Sequence, residues 1–373
     1  MPEVAKVLPF RAKMGVASCS REEAMERART FLSLPTSDRS EQNLDAVYSD
    51  GDVLTAMCAQ LWELINTSPS SVAEESSRAY KWLSAKAARD FFFDERDFFL
   101  GETALLAAGS FRLLGKREET ERWLDRADAN FRHTVAPAAH LARVSYIRLT
   151  LRYDMRRHEE VLELVPSVAL TFQKLGMHGD LTKSRFLEAM SLKELGRIDE
   201  AVAGLESLVS GEAARVEPAL CGMALVNLGD LQSGQSHFDA ALSSYAQAAP
   251  LLEAGRRYSA LADLKLMVAV TLRKTGHLVE SLTAYRGAID DYVGLEMATR
   301  AANVRILLAE ALLEGGRSRE AEWQILAALP TIDEEKMVPE GFVAMELLRG
   351  SVQQRKADPD ALLELREYLQ AKN

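Results

Sequence analysis

One spacing constrains this chain more than any other feature. Short turns of the form Leu-x-x-x-Gly-x-x-x-Glu-Ala recur, and the stretch from Leu192 through Gly196 to Glu200 and Ala201 shows the form in full. Aligned on the turn residue, the anchors are Gly115, Arg156, Gly196, Ser236, Gly276, Gly316 and Lys356, spaced by 41 residues once and by 40 thereafter. A near-constant period over seven units marks an array in which each unit buries its apolar face only against its neighbours.

Inside each unit the apolar residues recur at i, i+3 and i+4, as in Leu261-Ala262-Asp263-Leu264, and not in alternation. Ala and Leu dominate while Ile occurs only seven times, which favours helix over strand. Seven residues before the anchor stand Ala108, Leu149, Ala189, Gly229, Ala269 and Ala309. These are mostly small, as required where two helices cross closely. Five after the anchor come Thr120, Val161, Ala201, Ala241, Ser281 and Ala321. Nine after it come Leu124, Val165, Leu205, Tyr245, Tyr285 and Ile325, and twelve after it Ala127, Val168, Leu208, Ala248, Ala288 and Ala328. Small and large residues alternate, so one helix's ridge can enter its neighbour's groove.

These offsets resemble the helix-turn-helix signature of the tetratricopeptide repeat family, shown best by Phe238-Asp-Ala-Ala241-Leu-Ser-Ser-Tyr245-Ala-Gln-Ala248. The resemblance covers about residues 100–371. It implies an all-α, right-handed superhelical solenoid of antiparallel helix pairs. The chain departs from the family in its period, 40 residues in place of 34, through longer helices or an extended inter-repeat loop. It also lacks the large aromatic near the start of the first helix. Longer-helix members of the family occur among bacterial regulators and adaptors.

The expected organisation has three parts: a divergent helical N-terminal cap over 1–95, a repeat array over 96–335 and a capping helix pair over 336–373. Within the cap, breaker clusters predict helices near 20–33, 40–48, 53–66 and 71–88. The last pair is expected near 340–355 and 359–371. Five Phe lie among residues 91–99. They read as a packed junction between cap and array, with an exposed partner patch as the alternative.

The chemistry expected of an enzyme is not evident. Gly109 to Lys116 has one residue too many between its glycines for a phosphate loop, and Arg117 stands where a Mg²⁺-binding hydroxyl belongs. Cys19, Cys58 and Cys221 are too dispersed for a disulfide framework or a metal knuckle, and a reducing cytoplasm is the simplest setting. His158, His237 and His277 are read as exposed turn residues, and His133 and His140 as a solvated pair. No cofactor is expected. The net charge of −10 argues against nucleic acid as the partner. Arg11 and Lys13 interrupt the apolar run before Val16-Ala-Ser-Cys19, so neither a signal peptide nor membrane attachment is expected.

The resemblance implies a concave wall lined by the first helix of each repeat. Ten residues before the anchors lies an apolar row, Leu105, Tyr146, Phe186, Val226, Leu266 and Ile306. Six before lie Gly109, Thr150, Met190, Asp230, Val270 and Glu310, and thirteen before lie Glu102, Arg143, Lys183, Met223, Asp263 and Asn303. The expected partner-binding residues are therefore Arg143, Tyr146, Lys183, Phe186, Met190, Asp230, Asp263 and Ile306. An ordinary inter-helix core is the other reading of these rows. The implied function is non-enzymatic: a scaffold or regulator gripping a protein segment. Alternatives are a sequestering inhibitor of a sigma factor or regulatory protease, and a small-molecule or peptide sensor with a closed pocket.

Overall fold

The structure, a computed structural model, describes residues 20–34, 50–86, 95–210 and 217–355. The described residues hold sixteen helices and no strand. Packing divides the chain into two compact units, Met1–Arg197 and Ile198–Asn373.

The first unit contains α1 (Arg21–Ser33), α2 (Gly51–Leu64), α3 (Pro69–Lys86), α4 (Arg96–Leu113), α5 (Arg117–Phe131), α6 (Pro137–Asp154), α7 (His158–Lys174) and α8 (His178–Glu194). Capping starts α1 cleanly: the Ser20 hydroxyl accepts from the Glu23 N–H, and the Glu23 carboxylate accepts from the Ser20 N–H. The expected helices at 20–33, 53–66 and 71–88 correspond to α1, α2 and α3, while 40–48 lies outside the described residues. Phe99 is buried with Leu54, Leu61 and Leu83 of the cap, so it belongs to the junction. Phe98 stands edge-on to Phe99 and His140. Phe91 to Phe93 lie outside the described residues.

The second unit contains α9 (Ile198–Ser210), α10 (Pro218–Gly234), α11 (Phe238–Ala254), α12 (Tyr258–Lys274), α13 (Leu278–Gly294), α14 (Ala298–Glu314), α15 (Ser318–Glu334) and α16 (Val338–Arg355). The pair expected at the chain's end is represented by α16, and 359–371 lies outside the described residues.

The turns explain the period. Every described anchor has a left-handed backbone, with φ of 70° at Gly115, 59° at Arg156, 73° at Gly196, 65° at Ser236, 81° at Gly276 and 70° at Gly316. After α8 the N–H of Gly196 donates to Lys193 O (3.0 Å) and that of Arg197 to Leu192 O (2.9 Å), which satisfies the last carbonyls of the helix. A second series repeats this geometry halfway between anchors, at Gly176, Arg256, Glu296 and Lys336. Where both series occur, the turn within a repeat and the turn between repeats are each three residues long, whereas five residues, 132–136, join α5 to α6. The extra length over the family's 34 residues resides in the helices. Eight of them have 17 residues, about 25 Å each.

Packing follows the offsets. In α5 the buried residues are Thr120, Trp123, Leu124, Ala127 and Phe131, a single stripe. In α4 every residue from Phe99 to Ser110 is buried, because neighbours cover it on several sides. The small row makes this possible: a Cβ on Gly229 would come within 2.4 Å of the Tyr245 ring. Ala189 and Ala269 are likewise buried. Tyr245, Tyr285 and Tyr292 are among the largest fully buried side chains, and burying a large apolar side chain contributes about 1.5–3 kcal/mol.

Candidate partner-binding wall

In the first unit, the first helices of successive pairs present positions spaced i, i+3 and i+7. On α6 these are Arg143, Tyr146 and Thr150; on α8 they are Lys183, Phe186 and Met190. Such spacing puts each trio on one face. The corresponding face of α4 is closed. Leu105 is fully buried, and a Cβ on Gly109 would meet Cδ1 of Ile65, the C-cap of α2, at 3.0 Å. Further along, the row opens: Tyr146, Phe186 and Met190 are half-buried. Tyr146 packs against the cluster of Leu149, Val165 and Leu187, while its face remains partly accessible.

Charges on this face are already engaged. Arg143 donates to both carboxylate oxygens of Glu102 (2.9 and 3.0 Å) and stacks over Trp62, whose indole N–H donates to Glu102 at 2.6 Å. Arg143 was expected on an open rim. It is instead the outer half of an ion pair, 20% exposed against a Glu102 side chain that is only 4% exposed. Burial opposes ionisation of Glu102, but the Arg143 charge and the Arg143 and Trp62 hydrogen bonds outweigh it and hold the carboxyl below its usual range. Lys183 pairs with Asp180 on its own helix at 3.2 Å, and Arg112 of α4 pairs with Asp154 of α6 at 2.6 Å.

The second unit repeats the arrangement on α10, α12 and α14. Asp263 of α12 accepts from the Tyr292 hydroxyl and pairs with Arg300 of α14. Burial and the Asp263 contact push the Tyr292 hydroxyl up to about 12. Arg273 of α12 reaches Glu310 (3.0 Å) and Glu314 of α14. Asp230 is half-buried on α10. Ile306, expected on the groove floor, is 5% exposed and packs in the core with Ala269 and Leu308. In both units, then, the wall's charges tie one first helix to the next. A register signal for this existed: opposite charges recur about one period apart, as in Glu102 and Arg143 or Arg273 and Glu314.

Two histidine expectations fail. His140 is buried, stacked on Phe131 with ring centres 4.7 Å apart, and its Nδ1 has no hydrogen-bond partner. Burial, reinforced by Arg143, holds its pKa below the ordinary value although Glu102 acts the other way. His158 is also buried, edge-on to Tyr153. It sits two residues past its anchor, inside a helix, whereas His237 and His277 sit one past theirs and are exposed. Among the described residues, no group of three His, Cys, Asp or Glu side chains could hold a metal ion. Likewise among the described residues, no helix is long and apolar enough to cross a membrane.

No family model and no curated protein matches the chain. Solved structures do. A signal transduction ATPase of Pyrococcus horikoshii with a tetratricopeptide repeat sensor superposes with a TM-score of 0.64 at 10% identity, over 93% of this chain and 52% of that one. A Rap protein complexed with Competence and Sporulation Factor gives 0.53 at 11% identity, over 90% and 98% of the two chains. Aspartyl phosphate phosphatase F from Bacillus subtilis gives 0.50 at 12% identity, over 92% and 96%. At these identities the likeness concerns the fold. Together with the helix pairs, the anchors and the close-packed small row, it gives the chain a tetratricopeptide-like helical-repeat fold.

Proposed function

We propose that the chain is a non-enzymatic regulator or scaffold that binds a peptide or protein segment on the wall formed by α6 and α8. The observation that carries this reading is the half-buried apolar trio Tyr146, Phe186 and Met190, which includes the two aromatic residues of a row whose Leu105 and Ile306 are closed into core and whose Val226 and Leu266 are half-buried. Aromatic anchors of this kind supply a large share of interface energy. A Rap conjugation gene regulator of similar fold is in complex with the Phr* peptide, which supports a peptide as ligand. A segment of a regulatory protein, such as a sigma factor or protease, has the same chemistry. Cys58 and Cys221 are buried free thiols, which fits work in a reducing cytoplasm.

A photo-crosslinking residue placed at 186 or 190 in the native cell should capture a partner that the same residue at Val135, 93% exposed, does not. Phe186→Ala should weaken binding of that partner by about 2 kcal/mol or more. If Phe186→Ala and Met190→Ala both fold and bind the captured partner unchanged, the wall is not the site.

A further inference from the structure

A second surface of the first unit differs from the wall in charge. Between α3, the end of α4 and α5 runs an open groove of about 630 Å³. Its apolar side is Phe111, Leu114 and Trp123, with the Phe111 and Trp123 rings stacked at 6.5 Å. Arg78, Lys81 and Lys116 line the rest, with Glu74 as the one acidic lining residue. Glu74 is already taken by Arg78 at 2.7 Å. Lys81 and Lys116 are exposed, and among the described residues no carboxylate pairs with either. Lys116 Nζ instead lies 5.6 Å from the centre of the Phe111 ring. Ser77 also lines the groove, and its Oγ is buried without a hydrogen-bond partner.

On a chain of net charge −10, two unpaired ammonium groups beside an apolar floor are a local reversal of sign. Their complement is negative and apolar at once. We infer that this groove docks an acidic, apolar-anchored peptide segment of a partner protein. Its aromatic or aliphatic side chain seats on Phe111, Leu114 and Trp123, and its carboxylates pair with Lys81 and Lys116. The floor provides affinity, while the two lysines steer association and make it salt-dependent. Nucleic acid fits less well, because the chain's overall field repels it.

The probe is a phage-displayed random 12-residue peptide library panned on the full-length protein. Clones are then measured against Lys81→Glu/Lys116→Glu and, separately, Phe111→Ala, each checked for unchanged helicity and melting. Enriched peptides should carry at least two carboxylates around an aromatic or leucine. They should bind the charge-reversed protein at least tenfold more weakly and should be unaffected by Phe186→Ala. Loss with Phe186→Ala instead would assign them to the wall, and the groove inference would fail while the wall reading stood. An absence of enrichment, basic consensus sequences or equal binding to the charge-reversed protein would overturn the inference. So would peptide binding that appears only when Phe91, Phe92 and Phe93 are all changed to Ser, since the chain's own segment would then be the occupant. Dimerisation that depends on Lys81 and Lys116 would reassign the groove to a second copy.

Discussion

The two units fill one register with different chemistry. In the first, the space between first helices contains a buried ion pair, Glu102 with Arg143, bracketed by Trp62 and by His140, whose Nδ1 has no hydrogen-bond partner. In the second, Asp263 and Arg300 occupy comparable ground, but their side chains are 37% and 51% exposed, and the interior is built from Ala, Leu and Ile around Tyr285 and Tyr292. The same helix geometry therefore tolerates either a charged or an apolar filling. What differs is the penalty for disturbing it. A desolvated pair depends on its partner, whereas an exposed pair is screened by water.

The largest effect should come from breaking the buried pair. Glu102→Gln leaves Arg143 uncompensated and should cost about 3–5 kcal/mol, read as lost amide-exchange protection in α4 and α6. The double change Glu102→Leu with Arg143→Met should recover most of that loss. Asp263→Asn should cost about 1 kcal/mol or less. Equal costs at the two sites would erase the contrast between the units.

Next in size is overpacking, to which both units are open, since a Cβ on Gly101 would come within 2.5 Å of the Phe131 ring in the first. Gly229→Ala drives a methyl into the Tyr245 ring, and Ala269→Leu fills a closed helix crossing. Each should cost about 1–3 kcal/mol in denaturant melts. A neutral outcome at both would mean that these helices separate easily.

Acid sharpens the contrast further. Glu102 is held below its ordinary pKa, so the stability it contributes is present above the usual carboxylate range and is lost as pH falls through that range. His140 is also depressed: below its ordinary value of 6.5 the unfolded chain takes up a proton that the folded chain refuses. Both effects weaken the first unit on acidification. Exchange protection in α4 and α6 should fall before that in α12 and α14, beginning below about pH 6.5. His140→Phe should remove the earlier part of the decline.

The smallest effects belong to the turns. Arg256, Glu296 and Lys336 adopt left-handed φ values of 51°, 57° and 53°. Replacing any of them with Gly relieves backbone strain and should raise stability by up to about 1 kcal/mol, while Gly196→Ala should lower it by a similar amount. Calorimetric melts of single variants would resolve these shifts.

These same turns mark the limit of what the amino-acid sequence discloses. The 40-residue period stands out because four of the six described anchors are glycine. The intervening series stays hidden because Arg256, Glu296 and Lys336 carry no glycine signature, and only Gly176 does. The core rows at offsets of −7, +5, +9 and +12 are readable, because burial there selects residue size and polarity at fixed spacing. The wall is harder. Tyr146 and Ile306 share an offset, but one is half-buried and the other is core, according to how closely neighbouring helices approach. Arg143 resembles a rim cation until Glu102, one period away, is brought beside it by folding. The Phe111–Trp123 groove has no repeating counterpart, so periodicity could not reveal it.

The backbone-closed turns also bear on how such a chain changes length. Each turn stops its helix with main-chain hydrogen bonds, so it is indifferent to which unit follows. Excision of residues 237–276 would join Ser236 to His277, putting histidine back where His237 stood. Tyr285 would then arrive opposite Gly229 in place of Tyr245, with Ser281 for Ala241 and Ala288 for Ala248. Recombination between units therefore meets matching seams, and copy number becomes a heritable variable, lengthening or shortening the binding wall in whole steps without a new turn or a new core.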